Sequence, residues 1–186
     1  MTLPRGFKAE AEREAIRPRK EMGLAPTAPL NVQELAMTLG VRVVSAEQLI
    51  DMERLHELER LQAFAFSAAT FEISGRRFIV TNPLRTEGRL ASDVAHELSH
   101  VLLKHDLSEL RELDGVPFRS CRPDEEEQAT AFGGTLMLPR PMLVGMASRG
   151  LGPEEIAERC VVTVEMARFR YNTTGVVKQV GRRRSG

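Results

Sequence analysis

After a break at Asn82-Pro83, apolar residues Leu90, Val94, Leu98, Val101 and Leu102 recur at helical spacing, with Thr86 as a candidate cap, and His96-Glu97-Leu98-Ser99-His100 is set into this stripe. No other feature constrains the chain as much. Positions i and i+4 of a helix stand one turn apart on one face, so both imidazoles can reach a single Zn²⁺ while the carboxylate of Glu97 approaches a water on that metal. The competing reading satisfies both histidines by hydrogen bonds and turns Glu97 to water. It leaves ionisable groups on the buried side of an apolar helix, which is costly unless they are paired or metal-bound.

A hydrolytic zinc keeps three protein ligands and an open position for water, so a third ligand is required. A metzincin would need Gly and His at fixed offsets after His100, and Val101-Leu102-Leu103-Lys104-His105-Asp106 has neither in place. A carboxylate from a second helix remains. The spacing predicts that helix over Asp124 to Leu138, stopped by Pro139-Arg140-Pro141. Its stripe of Ala129, Phe132, Gly133 and Leu136, extended backwards, puts Glu125 and Glu126 on the core face and turns Glu127 away. Either Glu125 or Glu126 is then the ligand. Gly133-Gly134 inside a helix costs roughly 1 kcal/mol per Gly relative to Ala, which predicts a backbone lying close against another element, the helix of His96 and His100.

Other residues have weaker claims on the site. Cys121 offers a thiol close in sequence to Glu126, and Asp93 lies where it could orient a ligand or serve as an ordinary surface carboxylate. Tyr171, His105, His56 and Arg89 are all candidates to stabilise an oxyanion, and nothing in the sequence separates them.

The rest of the chain reads as a single globular unit. It has 186 residues, enough for a core without staples, and its 26 basic and 26 acidic side chains give no global field towards nucleic acid or an anionic membrane. The start never develops the apolar core of a secretory signal, no run approaches a membrane span, and two cysteines without C-x-x-C spacing suit a reducing compartment. A cytoplasmic protein is expected. Along the chain we expect a helical segment from Ala9 to Leu24 split near Pro18, and a helix capped by Asn31 and ended by Gly40. A strand at Val41 to Val44 follows, then a helix opened by a capping box at Ser45. Runs at Ala63 to Ser67, Thr70 to Ser74 and Arg77 to Thr81 predict an antiparallel sheet with a turn at Gly75-Arg76; the stretch from Leu107 to Pro123 reads as loose. Towards the end, Pro153 opens one helix and Thr163 caps another around Cys160-Val161-Val162, followed by a basic terminus.

His96-Glu97-Leu98-Ser99-His100, followed by Glu126-Glu127-Gln128-Ala129-Thr130-Ala131-Phe132-Gly133 and Leu136-Met137-Leu138-Pro139, resembles the ImmA/IrrE family of zinc metallo-endopeptidases. The likeness extends to Arg5-Gly6-Phe7-Lys8, Leu35-Ala36 with Leu39-Gly40-Val41, Asn82, Arg89, Ile156-Ala157, Val162-Thr163 and Arg170. It implies an α+β, zincin-like metallopeptidase core, mostly helical with a small antiparallel sheet, over residues 1–140, with a helical segment packed on it over 141–178; the basic terminus over 179–186 reads as a flexible tail. It also implies that Glu126 is the third zinc ligand beside His96 and His100, with Glu97 as general base. Thr130 departs from the Asn or Asp usual in the family just after that Ala, at a position one turn from the ligand. The implied substrate is a protein, typically a helix-turn-helix transcriptional repressor, pairing with a sheet edge for which Arg77 to Thr81 is the natural candidate. The competing functions are a zinc-binding regulatory module without turnover, which the Thr130 departure would permit, and direct DNA binding. The helices around Val161-Val162-Thr163 look like a helix-turn-helix, but Arg168 and Arg170 are accompanied by Glu165 and no global positive charge supports them.

Overall fold

Pro18 cannot sit inside a helix without losing a backbone hydrogen bond, and the chain accommodates it by splitting. In the computed structural model, which describes residues 3–63, 66–105, 110–113, 116–119 and 122–184, α1 (Phe7–Glu14) ends before the proline and α2 (Arg17–Glu21) carries it in its first turn, where its missing N–H costs nothing. Arg19 on α2 is fully buried. Its guanidinium donates to the carbonyls of Ala28 (3.0 Å), Ala15 (3.1 Å), Leu136 (2.7 Å) and Met137 (3.1 Å). Burial lowers its pKa to about 10, leaving it charged at neutral pH.

Asn31 caps α3 (Val32–Thr38), accepting from the backbone N–H groups of Gln33 and Glu34, and Gly40 takes a left-handed φ of 68° at the other end. β1 (Val41–Ser45) follows. The expected capping box at Ser45 does not form: a 3₁₀ turn over Ala46–Gln48 intervenes, and Asp51 caps α4 (Met52–Leu61) by accepting from Glu53 N–H at 2.9 Å. A short polar residue before a helical run can cap it at either place, and Asp51 stands next to the residues that pack.

β2 (Ala68–Ile73) and β3 (Arg76–Thr81) form an antiparallel hairpin in which Ile73 faces Arg76. The turn is therefore Ser74-Gly75, both at positive φ, one residue earlier than the sequence suggested. The sheet is mixed rather than purely antiparallel, because β1 pairs parallel to β3, with Val41 opposite Arg77 and Ser45 opposite Thr81. The order β1-β3-β2 makes β3 central, so the expected substrate edge at Arg77 to Thr81 is already paired on both sides. The edge strands are β1 and β2. Of the expected strand over Ala63 to Ser67, residues 64 and 65 lie outside the described residues, and Phe66 and Ser67 are not in a strand.

α5 (Glu87–Leu103) carries the H-E-x-x-H sequence and buries Val94, Ala95 and Leu98. Within the stretch expected to be loose, β4 (Leu110–Leu113) and β5 (Val116–Arg119) pair antiparallel. α6 (Pro123–Met137) packs along α5, and a β-carbon added to Gly133 would stand 3.2 Å from the Cα and N of His96, the close approach that the paired glycines predict. α7 (Arg140–Ser148), α8 (Pro153–Cys160), α9 (Val164–Thr173) and α10 (Val176–Arg184) complete the described residues. One apolar cluster runs from Val41 and Ile79 through Leu98 and Leu136 to Met142, Ile156 and Ala167, so α7 to α10 share their core with the sheet and α5.

Candidate metal centre

α5 presents His96 and His100 on one face, and the first turns of α6 bring Glu126 against both. His96 Nε2 lies 3.3 Å from His100 Nε2, and the Glu126 carboxylate spans the pair, with Oε2 3.2 Å from His96 Nε2 and Oε1 3.3 Å from His100 Nε2. In a tetrahedral zinc site, ligand atoms about 2.0–2.1 Å from the metal stand roughly 3.3 Å from one another. The two imidazole nitrogens have the spacing of two corners of such a site, the Glu126 carboxylate reaches one of them with each oxygen, and with one ligand atom from each residue within 4.8 Å of the others His96, His100 and Glu126 could hold one metal ion. Glu126, not Glu125, is the glutamate of this group, and Glu127 instead faces a second cleft between α1, α6 and α9. Cys121 lies outside the described residues.

The surroundings of the three side chains differ sharply. His100 is almost wholly buried, His96 is partly exposed and Glu126 is 42% exposed, so the group opens to one side. Burial disfavours a charged His96. The contact with Glu126 and the charges of Glu97, Glu126 and Asp93 outweigh that effect and hold its proton above the ordinary imidazole range. A metal would have to displace that proton.

Glu97 is buried beside the histidines, and the hydroxyl of Thr70 on β2 donates to its Oε2 at 2.5 Å. Thr70 is the residue that sequence reasoning missed. Alternation along β2 groups Thr70 with Glu72, opposite Ala69, Phe71 and Ile73, so the sequence pattern gives no sign that it faces inward, and only the β2–α5 packing buries it against Glu97. Thr130 Oγ1 lies 3.4 Å from His96 Nδ1, so Thr130 sits against a candidate ligand.

The remaining candidates separate cleanly. His105 Nδ1 lies 3.0 Å from His100 Nδ1, on the side of that ring away from the nitrogen that faces His96 and Glu126. Asp93 pairs with Arg89 at 2.9 Å, and both border the cleft. His56 is exposed on α4, and Tyr171 packs against the core cluster. The cleft in front of His96, Glu97 and Glu126 encloses about 540 Å³ and is walled by Ser67, Ala68 and Ala69 on one side and by Thr163 and Met166 on the other.

The fold is similar to that of a Mycobacterium tuberculosis transcriptional regulator, with a TM-score of 0.51 and 17% identity, over 86% of this chain and 45% of that one. The chain thus spans less than half the length of that protein. No curated protein matches the sequence. Residues 36–172 match the model of the Peptidase_M78, IrrE N-terminal-like domain family, and they include the histidines, the glutamates and both helices that carry them; the chain belongs to that family.

Proposed function

We propose that the protein is a zinc-dependent endopeptidase acting on a protein substrate. The observation that carries this reading is the convergence of His96, His100 and Glu126, one ligand atom from each within 4.8 Å of the others, with the carboxylate of Glu97 buried beside them. His96, His100 and Glu126 would hold the zinc, which when bound would supply an acidified water and Lewis-acid polarisation of the scissile carbonyl. Glu97 takes the proton from that water as general base and passes it to the leaving amine. The Thr70 hydroxyl fixes the Glu97 carboxylate during both transfers, and the partly exposed faces of His96 and Glu126 border the cleft that admits the peptide.

An extended substrate segment is expected along β2. That strand has a partner on one side only among the described residues, and Ala68 and Ala69 on it border the cleft. Small side chains there leave room for a peptide backbone to approach. We take the substrate to be a helix-turn-helix transcriptional repressor in the cytoplasm, a reading that rests on the family resemblance. No helix among the described residues is long and apolar enough to cross a membrane.

Direct DNA binding through α8 and α9 is disfavoured by how their arginines are used. Arg168 pairs with Glu154, and Arg170 is buried, donating to the Leu138 carbonyl and to Glu12. Comparing new protein N-termini in cells carrying the wild type or Glu97→Gln tests the proposal. Cleavage products present only with the wild type support it, and identical termini in both contradict it.

A further inference from the structure

α5 ends on a left-handed residue, Lys104, at φ 58°. The N–H of Lys104 donates to the carbonyl of Val101 at 3.2 Å, and that of His105 donates to the carbonyl of His100 at 3.0 Å. This is the Schellman pattern of paired bonds, which brings the side chain just beyond the left-handed residue back against the last full turn of the helix. The contact it makes is ordinarily apolar. Here it joins two imidazoles, His105 and His100, with their rings 5.0 Å apart, inclined at 73°, and their Nδ1 atoms 3.0 Å apart.

The tautomers follow from that geometry. His100 turns Nε2 towards His96 and Glu126, and a neutral imidazole that offers Nε2 to a metal carries its proton on Nδ1. At 3.0 Å that proton has an acceptor in His105 Nδ1, which requires the proton of His105 to sit on its own Nε2. His100 is almost fully buried, so an Nδ1–H without an acceptor would be costly. We propose that His105 is a positioning residue for the metal site: as hydrogen-bond acceptor it fixes the ring of His100 and the tautomer that leaves Nε2 open to the metal. It fills the place that a carboxylate or backbone carbonyl commonly takes behind a metal-bound histidine. The cap at Lys104 thereby couples the end of α5 to the metal site. This inference rests on the reading of His96, His100 and Glu126 as zinc ligands.

The test measures zinc affinity of the full chain by competition with a chromophoric chelator, in the unmodified protein, His105→Ala, His105→Asn and His96→Ala, together with imidazole ¹H–¹⁵N correlations of the zinc-loaded forms. His105→Ala should weaken zinc binding by about 10–100-fold, the usual effect of removing such a partner. His105→Asn, whose Oδ1 lies as many bonds from the backbone as Nδ1 does, should recover most of the loss and keep the His100 Nδ1 proton resonance near its original position. Zinc binding by His105→Ala as tight as that of the unmodified chain, or a loss equally severe in His105→Asn, would overturn the role. Should the alanine variant fail to fold, the asparagine variant decides, through its affinity and the position of that resonance. His96→Ala separates the two levels: undiminished zinc binding there refutes the metal site itself, whereas the expected loss there with none in His105→Ala refutes only the positioning role.

Discussion

A β-carbon on Gly133 would stand 3.2 Å from the Cα of His96 and 3.3 Å from the carbonyl oxygen of Ala95, so the two helices that carry the candidate ligands meet at a point where only hydrogen fits comfortably. The atoms in the way are backbone and cannot swing aside. At the neighbouring Gly134 the corresponding contact is Cδ of the Arg170 side chain at 3.4 Å, an ordinary van der Waals distance. Gly134→Ala should therefore stabilise the protein by up to about 1 kcal/mol through helix propensity. Gly133→Ala should lose that gain to overpacking, which costs about 1–3 kcal/mol, and should weaken metal binding by pushing Glu126 away from the histidines. Denaturant unfolding and zinc titration of the two variants check this; equal stabilisation by both would contradict the packing argument.

The Thr70 hydroxyl is the donor given to Glu97 by β2, and both residues are buried. A hydrogen bond to a charged group contributes about 1.5–3 kcal/mol, and Thr70→Val keeps the shape while deleting the donor. We expect a stability loss in that range, retention of zinc, and a fall in kcat larger than any change in KM. Thr70→Ser should restore most of it. Unfolding curves and initial rates would show this; undiminished kcat in Thr70→Val would mean that Glu97 is positioned without it.

Arg19 holds the end of α6 from below, through the carbonyls of Leu136 and Met137. Arg19→Met fills much of the same volume but abandons buried carbonyls, so a loss of about 3–5 kcal/mol is expected. Arg19→Lys should not rescue it, because one ammonium cannot reach the directions spanned by a guanidinium fork. Thermal unfolding decides the point, with a shift of under about 1 °C in Arg19→Met ruling out this role.

His96 holds its proton above the ordinary imidazole range in the metal-free protein. A folded-state pKa raised in this way stabilises the native state fully below the unfolded value, and the contribution disappears as pH rises through the folded value. The Tm advantage of the metal-free protein over its His96→Gln variant should therefore shrink as pH rises through and just above the imidazole range. Zinc needs the neutral ring, so the Tm gained on adding zinc should grow over the same window. A zinc increment that shrinks with rising pH would contradict the assignment.

Much of this was legible in the sequence where one rule dominates locally. The apolar period of α5 made the placement of His96, Glu97 and His100 readable, and the paired glycines announced the contact with α6. The stripe on α6 left Glu125 and Glu126 tied, because one turn of a helix tilts either of them towards a neighbour; the family resemblance chose Glu126, and the His96 and His100 nitrogens lie beside its oxygens. Non-local pairing was not legible. Nothing in Val41 to Val44 says that it will lie parallel to Arg77–Val80, so the centre of the sheet was mistaken for its edge. Thr70, Arg19 and the role of His105 were hidden for the same reason, since each acts on a partner that only the packed fold or a helix cap delivers.

Metal content of the purified chain tests the central claim most directly. Elemental analysis should find about one zinc per chain in the unmodified protein and in Glu97→Gln, and a loss of most of it in His96→Ala, His100→Ala and Glu126→Ala. Stoichiometric zinc retained in folded Glu126→Ala, or no zinc bound by the unmodified protein even when it is supplied in excess, would contradict the account.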